Sequence, residues 1–183
     1  STGHAALELS PDIYISLYPE SDIDRSPSEF LNILKATQDN NVPGVFQPDY
    51  ATEAANWCES DRKIYFTQYN GIALLRYWKG YRMTTTYNLT YRNCSSSVAY
   101  ALEASLEGVL SEQSKNWGST LRTLFMPELW IAAQVRKRAL SMAWTPGLVM
   151  DYARALRSIV HPVPEPWYQR LSIKWRERSN SRK

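Results

Sequence analysis

Asn93-Cys94-Ser95-Ser96-Ser97-Val98 marks a helix start more sharply than any other stretch of this chain. Asparagine is a good N-cap residue, and Val98, Ala101, Leu102, Leu106, Val109 and Leu110 recur at helical spacing, which predicts a helix from about Cys94. A thiol at that position meets unpaired amides and the positive end of the helix dipole, which favour a thiolate. The bland alternative is a small buried residue packing the first turn. A base elsewhere in the chain separates the two, and the glycine-flanked His4 of Gly3-His4-Ala5-Ala6-Leu7-Glu8-Leu9 is the candidate.

His4 falls in what reads as a hairpin. Residues 4–9 and 13–18 are short apolar runs joined by Ser10-Pro11-Asp12, a Pro-containing turn. Alternation puts His4, Ala6 and Glu8 on one face of the first strand. In the second, Ile13, Ile15 and Leu17 share one face and Tyr14, Ser16 and Tyr18 the other. With the turn centred near Pro11, His4 faces Tyr18 with Ser16 diagonal to it.

Cysteine count narrows the chemistry. Cys58 and Cys94 are the only two cysteines and His4 and His161 the only two histidines, with no spacing that suits a zinc site, so metal-free and cofactor-free chemistry is expected. A net charge of +3 in 183 residues is too mild to indicate nucleic acid, but suits an anionic membrane or an acidic partner. Seven Trp and 12 Tyr are useful on sugar, peptide or lipid surfaces. No apolar run nears the roughly 20 residues of a membrane helix, and no leader opens the chain, so a soluble domain is expected. The start at Ser1, without methionine and just before a strand, suggests an excised domain or mature fragment.

Between these landmarks, residues 19–49 read as a loop-rich excursion, a decorated surface loop in preference to a substrate-side lid, with one short helix at Glu29–Thr37. Tyr50–Cys58 is expected as a helix with Ala51, Ala54, Ala55 and Cys58 on its apolar face. Lys63–Gln68 reads as a strand. Asn70 caps a helix over Ile72–Tyr81 with Leu74, Leu75 and Trp78 inward, and Thr84–Leu89 is extended. Beyond Leu110 come a polar linker, Ser111–Gly118, and helices at Glu128–Met142 and Gly147–Val160 that pad the core or build a binding wall. The tail Arg170–Lys183 holds six basic residues and one acid and reads as a solvated end. One domain is expected over 1–183, with 3–110 as catalytic core and 111–183 as helical extension and basic tail.

A nucleophilic cysteine needs a base, a group that holds the base, and amide donors for the oxyanion. Cys94 supplies the thiolate and its own amide a donor; His4 supplies the base. Ser16, Tyr18 and Glu8 are the available orienting groups, and residue spacing does not choose among them. His161 is the rival base, in a post-helix loop less suited to a rigid role.

Gly3-His4-Ala5-Ala6-Leu7-Glu8-Leu9, Tyr14-Ile15-Ser16-Leu17-Tyr18-Pro19, Tyr87-Asn88-Leu89 and Arg92-Asn93-Cys94-Ser95 resemble the circularly permuted NlpC-type papain-like hydrolases, which include the lecithin-retinol acyltransferase-like proteins. The resemblance covers about residues 3–18 and 63–110. It implies an α+β fold, a small antiparallel sheet packed on the nucleophile helix, with extra C-terminal helices. It implies Cys94 as nucleophile, His4 as base and then acid, and Ser16 as orienting group, where many members carry His, Glu, Gln or Asn. Tyr18, Glu8 and Asn93 are the further orienting or substrate-contacting candidates. The implied activity is acyl hydrolysis or transfer through a thioester, with a membrane phospholipid favoured and a cell-wall peptide, cut by an endopeptidase or amidase, as the alternative. Such a domain also resembles the toxin modules of secreted bacterial effectors, acting at the target-cell envelope and neutralised by an immunity protein. No nucleic-acid partner is implied. The non-enzymatic alternative is a protein-binding module with a structural Cys94. Asn88-Leu89-Thr90 and Asn93-Cys94-Ser95 both fit the glycosylation pattern, and a glycan on Asn93 would crowd the thiol.

Overall fold

A computed structural model describes residues 3–23, 29, 37–109, 127–141 and 143–161. The short helix expected at Glu29–Thr37, the linker at Ser111–Gly118 and the basic tail fall largely or wholly outside the described residues. Those described form a mixed α+β structure with strands β1 (Leu7–Leu9), β2 (Ile13–Ile15), β3 (Leu17–Pro19), β4 (Val42–Phe46) and β5 (Thr86–Tyr87). Its helices are α1 (Tyr50–Asn56), α2 (Gly71–Tyr81), α3 (Cys94–Ser105), α4 (Pro127–Ser141) and α5 (Pro146–Val160).

Two small antiparallel sheets share one extended run, residues 13–19. Its first half pairs with β1, in the register Leu7↔Ile15, Glu8↔Tyr14 and Leu9↔Ile13. Its second half pairs with β4, Leu17↔Phe46, and β4 pairs with β5 through Val42↔Tyr87. Ser16 sits at the change of partner, and its carbonyl accepts the Gln47 N–H at 3.0 Å. The strand at 42–46 corrects the loop expected over 19–49. Pro43 and Gly44 read as chain breakers, yet Gly44 is there for close approach. Its N–H donates to the Thr85 carbonyl at 2.6 Å, and a Cβ would lie 3.1 Å from the Tyr87 nitrogen. The strand expected at Lys63–Gln68 is absent. That segment is irregular, with Ile64 and Phe66 packed on the helical core, so its aromatic content serves packing rather than a ladder.

Helix α3 is the centre of the molecule. Asn93 caps it as expected, accepting the Ser96 N–H at 2.8 Å, while Ser96 Oγ accepts the Asn93 N–H at 2.8 Å, closing a capping box. The helix ends at Ser105 rather than running to Leu110, and Gly108 follows at φ 80°, a backbone shape that glycine adopts without strain. Val98, Ala99, Leu102 and Leu106 pack with Val149, Tyr152, Leu156 and Ile159 of α5. Ala101 turns the other way, toward Ile13, Ile15, Leu74 and Trp78. The C-terminal helices therefore share a core with α3. Glu103 of α3 ties them in, with Oε1 2.7 Å from Arg136 Nε and 3.0 Å from the Tyr152 hydroxyl.

Helix α2 starts under its Asn70 cap, whose side chain accepts the Ala73 N–H at 3.0 Å; it buries Ala73, Leu74 and Trp78 but leaves Leu75 exposed. Helix α1 departs further from expectation. Ala51, Ala55 and Cys58 are exposed, Cys58 lies beyond the helix end, and the residue α1 buries is Glu53.

Candidate active site

The 13–19 run is buried on both faces: Ile13, Ile15 and Leu17 on one, Tyr14, Ser16 and Tyr18 at least half-buried on the other. The second face carries two phenols and a hydroxyl, and His4 joins it. Continuing the β1–β2 register by three residues sets His4 opposite Tyr18, although residues 3–6 form no ladder. The imidazole stacks on the Tyr18 ring, with centroids 4.1 Å apart and planes 14° from parallel. Its Nε2 lies 2.8 Å from Ser16 Oγ.

Glu53 supplies the acid that this face lacks. The Tyr14 hydroxyl donates to Glu53 Oε2 at 2.8 Å and the Tyr18 hydroxyl to Oε1 at 3.0 Å. His4 Nε2 is 3.4 Å from the same Oε1, and both side chains are 9% exposed. Sequence reasoning passed over Glu53 because a lone acid on an alanine-rich helix looks solvated. The available signal was on the opposite wall, where Tyr14 and Tyr18 form a buried pair of donors with no acceptor on their own strands.

Burial lowers the His4 pKa from 6.5 to about 4, with the Glu53 charge pulling it upward. The ring is therefore neutral at pH 7. Burial also raises Tyr14 and Tyr18 well above the usual phenol value, reinforced by their bonds to Glu53; both stay protonated donors.

Cys94 is the first residue of α3 and is buried. Burial pushes the Tyr87 phenol up to about 12, with the Cys94 sulfur adding to the effect, and the same sulfur contributes to the shift at Tyr18. The thiol thus lies within electrostatic range of the ring on which His4 is stacked. Its Sγ is 3.6 Å from Ser95 Oγ. Among the described residues the Cys94 and Ser95 N–H groups donate to no protein acceptor, as expected for the first turn of a helix.

Of the other candidate residues, Asn93 is a structural clasp. Its Nδ2 donates to the Leu89 carbonyl at 2.8 Å and the Trp144 carbonyl at 3.0 Å. Glu8 is exposed, pairs across the ladder with Tyr14, and does not touch His4. His161 is engaged elsewhere: its Nε2 accepts the Thr67 N–H at 3.1 Å. Asn88 and Asn93 are 0% and 5% exposed and hydrogen-bonded through their amides, so neither glycosylation pattern is accessible in the folded chain. Trp57 closes one side of the site; it stands edge-on to both His4 and Tyr18, 5.7 and 6.2 Å between centroids, and remains 52% exposed.

Comparison with known protein families, with curated proteins and with solved structures finds no match. Among the described residues no group of His, Cys, Asp and Glu side chains could hold a metal ion, and no helix is long and apolar enough to cross a membrane.

Proposed function

We propose that this chain is a cysteine-dependent acyl hydrolase or transferase of the permuted papain-like type, with Cys94 as nucleophile, His4 as base and Ser16 holding the imidazole. The observation that carries this is the buried neutral imidazole, anchored to Ser16 at 2.8 Å and stacked on Tyr18. A thiol at a helix start and an unprotonated imidazole held by Ser16 and Tyr18 suit proton removal followed by attack on an acyl carbon. The sulfur–carbon bond forms as the leaving group departs with the proton from His4, and water then cleaves the thioester. The free N–H groups of Cys94 and Ser95 can receive the oxyanion.

A phospholipid ester is the preferred substrate class. Exposed Trp57 beside the base, with Tyr65, Ile72 and Met83 exposed elsewhere, suits an enzyme that works against a lipid surface. On this reading the chain acts as an envelope-directed bacterial toxin and an immunity protein would cover the site. The test is lipid chromatography beside muropeptide analysis of bacterial envelopes exposed to the protein and to Cys94→Ala. Lysophospholipid and free fatty acid that require Cys94 and His4 support the proposal. Cysteine-dependent muropeptide loss with unchanged lipids replaces phospholipid by cell-wall peptide, and no cysteine-dependent product in either fraction removes the enzyme.

A further inference from the structure

Glu53 is a buried acid that α1 does not need for its own stability, because Asp49 caps that helix by accepting the Thr52 N–H at 2.7 Å. Among the described residues no lysine or arginine pairs with it. What faces it is Tyr14 from β2, Tyr18 from β3 and His4 from the N-terminal segment. Beyond these, Glu8 and Tyr50 act on Tyr14, and Cys94 acts on Tyr18, through charge. Two neutral phenols occupy carboxylate lone pairs without cancelling the charge. The remaining negative potential is directed at one atom, Nε2 of His4.

We propose that Glu53 is a positioning residue that fixes His4 as its Nε2–H tautomer, so that Nδ1 carries the lone pair that takes the proton from Cys94. A carboxylate can only accept, so the nitrogen beside it must hold the proton. Ser16 Oγ, 2.8 Å from Nε2, is the near acceptor of that N–H, and Glu53 Oε1, at 3.4 Å, is the charge contact beside it. Among the described residues Nδ1 has no hydrogen-bond partner, which leaves its lone pair free to take a proton. During acyl transfer the sulfur proton passes to Nδ1, Nε2 keeps its own proton, Glu53 remains a carboxylate, and the Nδ1 proton leaves with the departing group. The assignment rests on the Cys94–His4 hydrolase proposed above, but it makes a claim about His4 that stands without turnover.

His161 provides an internal reference. Its Nε2 accepts a backbone N–H, so its proton belongs on Nδ1, and the chain's only two histidines should display opposite tautomers. Nitrogen-15 NMR of imidazole-labelled protein at pH 7 reads this directly. The expected result is Nε2–H at His4 and Nδ1–H at His161. In Glu53→Gln the amide meets three donors with one oxygen, turns its NH2 toward Nε2, and converts His4 to Nδ1–H. Turnover of an activated acyl ester should then fall on the order of 10⁴-fold in kcat with KM little changed, in line with the loss when an orienting carboxylate becomes an amide in a serine-protease triad. An Nε2–H signal that persists in Glu53→Gln overturns the assignment, as does an Nδ1–H tautomer in the wild-type chain, a readout that survives even if the variant fails to fold. Conversion of the tautomer in a chain with no hydrolase activity upholds the positioning by Glu53 and removes the hydrolase.

Discussion

Acidification should destabilise this protein through His4, and the sign of the effect decides which of two opposing forces governs the site. Burial disfavours the imidazolium while the Glu53 carboxylate favours it, and burial is the larger, setting the folded-state pKa at about 4 against an ordinary 6.5. The folded pKa lies below the unfolded one. Between these values the unfolded chain binds a proton that the folded chain refuses, so stability is full above about pH 6.5 and is lost as pH falls toward 4. At ~1.4 kcal/mol per pKa unit, the loss is about 2 kcal/mol between pH 7 and 5 and about 3 kcal/mol once the folded ring also titrates. The side chain is only 9% exposed, so solvent screening removes little of this. His4→Gln keeps a hydrogen-bonding group but cannot titrate, and His161 is common to both chains. Urea unfolding of the two proteins at matched pH values, analysed with equal slopes, isolates His4. The wild-type advantage over the variant should shrink by about 2 kcal/mol from pH 7 to pH 5. A difference that grows on acidification would show that Glu53 holds an imidazolium, a constant one would show that the two forces cancel, and either would refute desolvation as the governing force.

Gly44→Ala should lower stability by about 1–3 kcal/mol, because the new Cβ meets the Tyr87 nitrogen at 3.1 Å and the Thr85 carbonyl at 3.2 Å, backbone atoms that cannot step aside; thermal unfolding reads the shift in Tm. Asn93→Ala should cost about 2–4 kcal/mol in the same assay, since it removes the cap of α3 and strips two carbonyls of their donor, whereas a loss of only a few tenths would deny the clasp. Alkylation of the folded chain near neutral pH, followed by peptide mass spectrometry, should label the proposed nucleophile Cys94 selectively over Cys58, although Cys58 is the exposed one. The selectivity should vanish in denaturant, and faster labelling of Cys58 in the folded chain would count against Cys94 as an activated thiol.

The elements legible in the sequence are those in which one local rule acts alone. Asn93 followed by an apolar stripe has no competing reading, and neither do the periodic helices near residues 127–141 and 146–160. The register that sets His4 across from Tyr18 follows from the turn near Pro11 together with strand alternation. Tertiary demands overrode local rules elsewhere. Val42–Phe46 contains the two residues that propensity excludes from strands, yet the glycine is what lets its neighbours pair so closely. Lys63–Gln68 carries strand-forming side chains but finds no open ladder and packs Ile64 and Phe66 inward instead. Glu53 was illegible for a different reason. Its meaning lies in two phenols about 35 to 39 positions away, and no pattern within α1 reports them.

The buried polar groups sort into two kinds, and the division argues for a working site more strongly than any single contact. Asn88, Asn93, Ser96 and Ser97 hold backbone. Asn88 Oδ1 accepts the Thr90 N–H, Ser96 completes the capping box, and Ser97 Oγ bonds the Asn93 carbonyl and the Tyr81 hydroxyl. Each of these stabilises the turn that presents Cys94, and replacing it would leave a main-chain group unpaired. Ser16, Ser95 and Glu53 are buried as deeply, but among the described residues their side chains hold no main chain. Ser16 bonds to the imidazole, Glu53 accepts from two phenols and lies 3.4 Å from the imidazole, and among the described residues the Ser95 hydroxyl bonds to the sulfur of Cys94. Burying such groups costs about 1–3 kcal/mol each when they are imperfectly paired. A chain selected for stability alone would fill these positions with alanine, valine or phenylalanine. Their convergence on one neutral imidazole and one thiol is what makes this corner of the fold the place to look for chemistry.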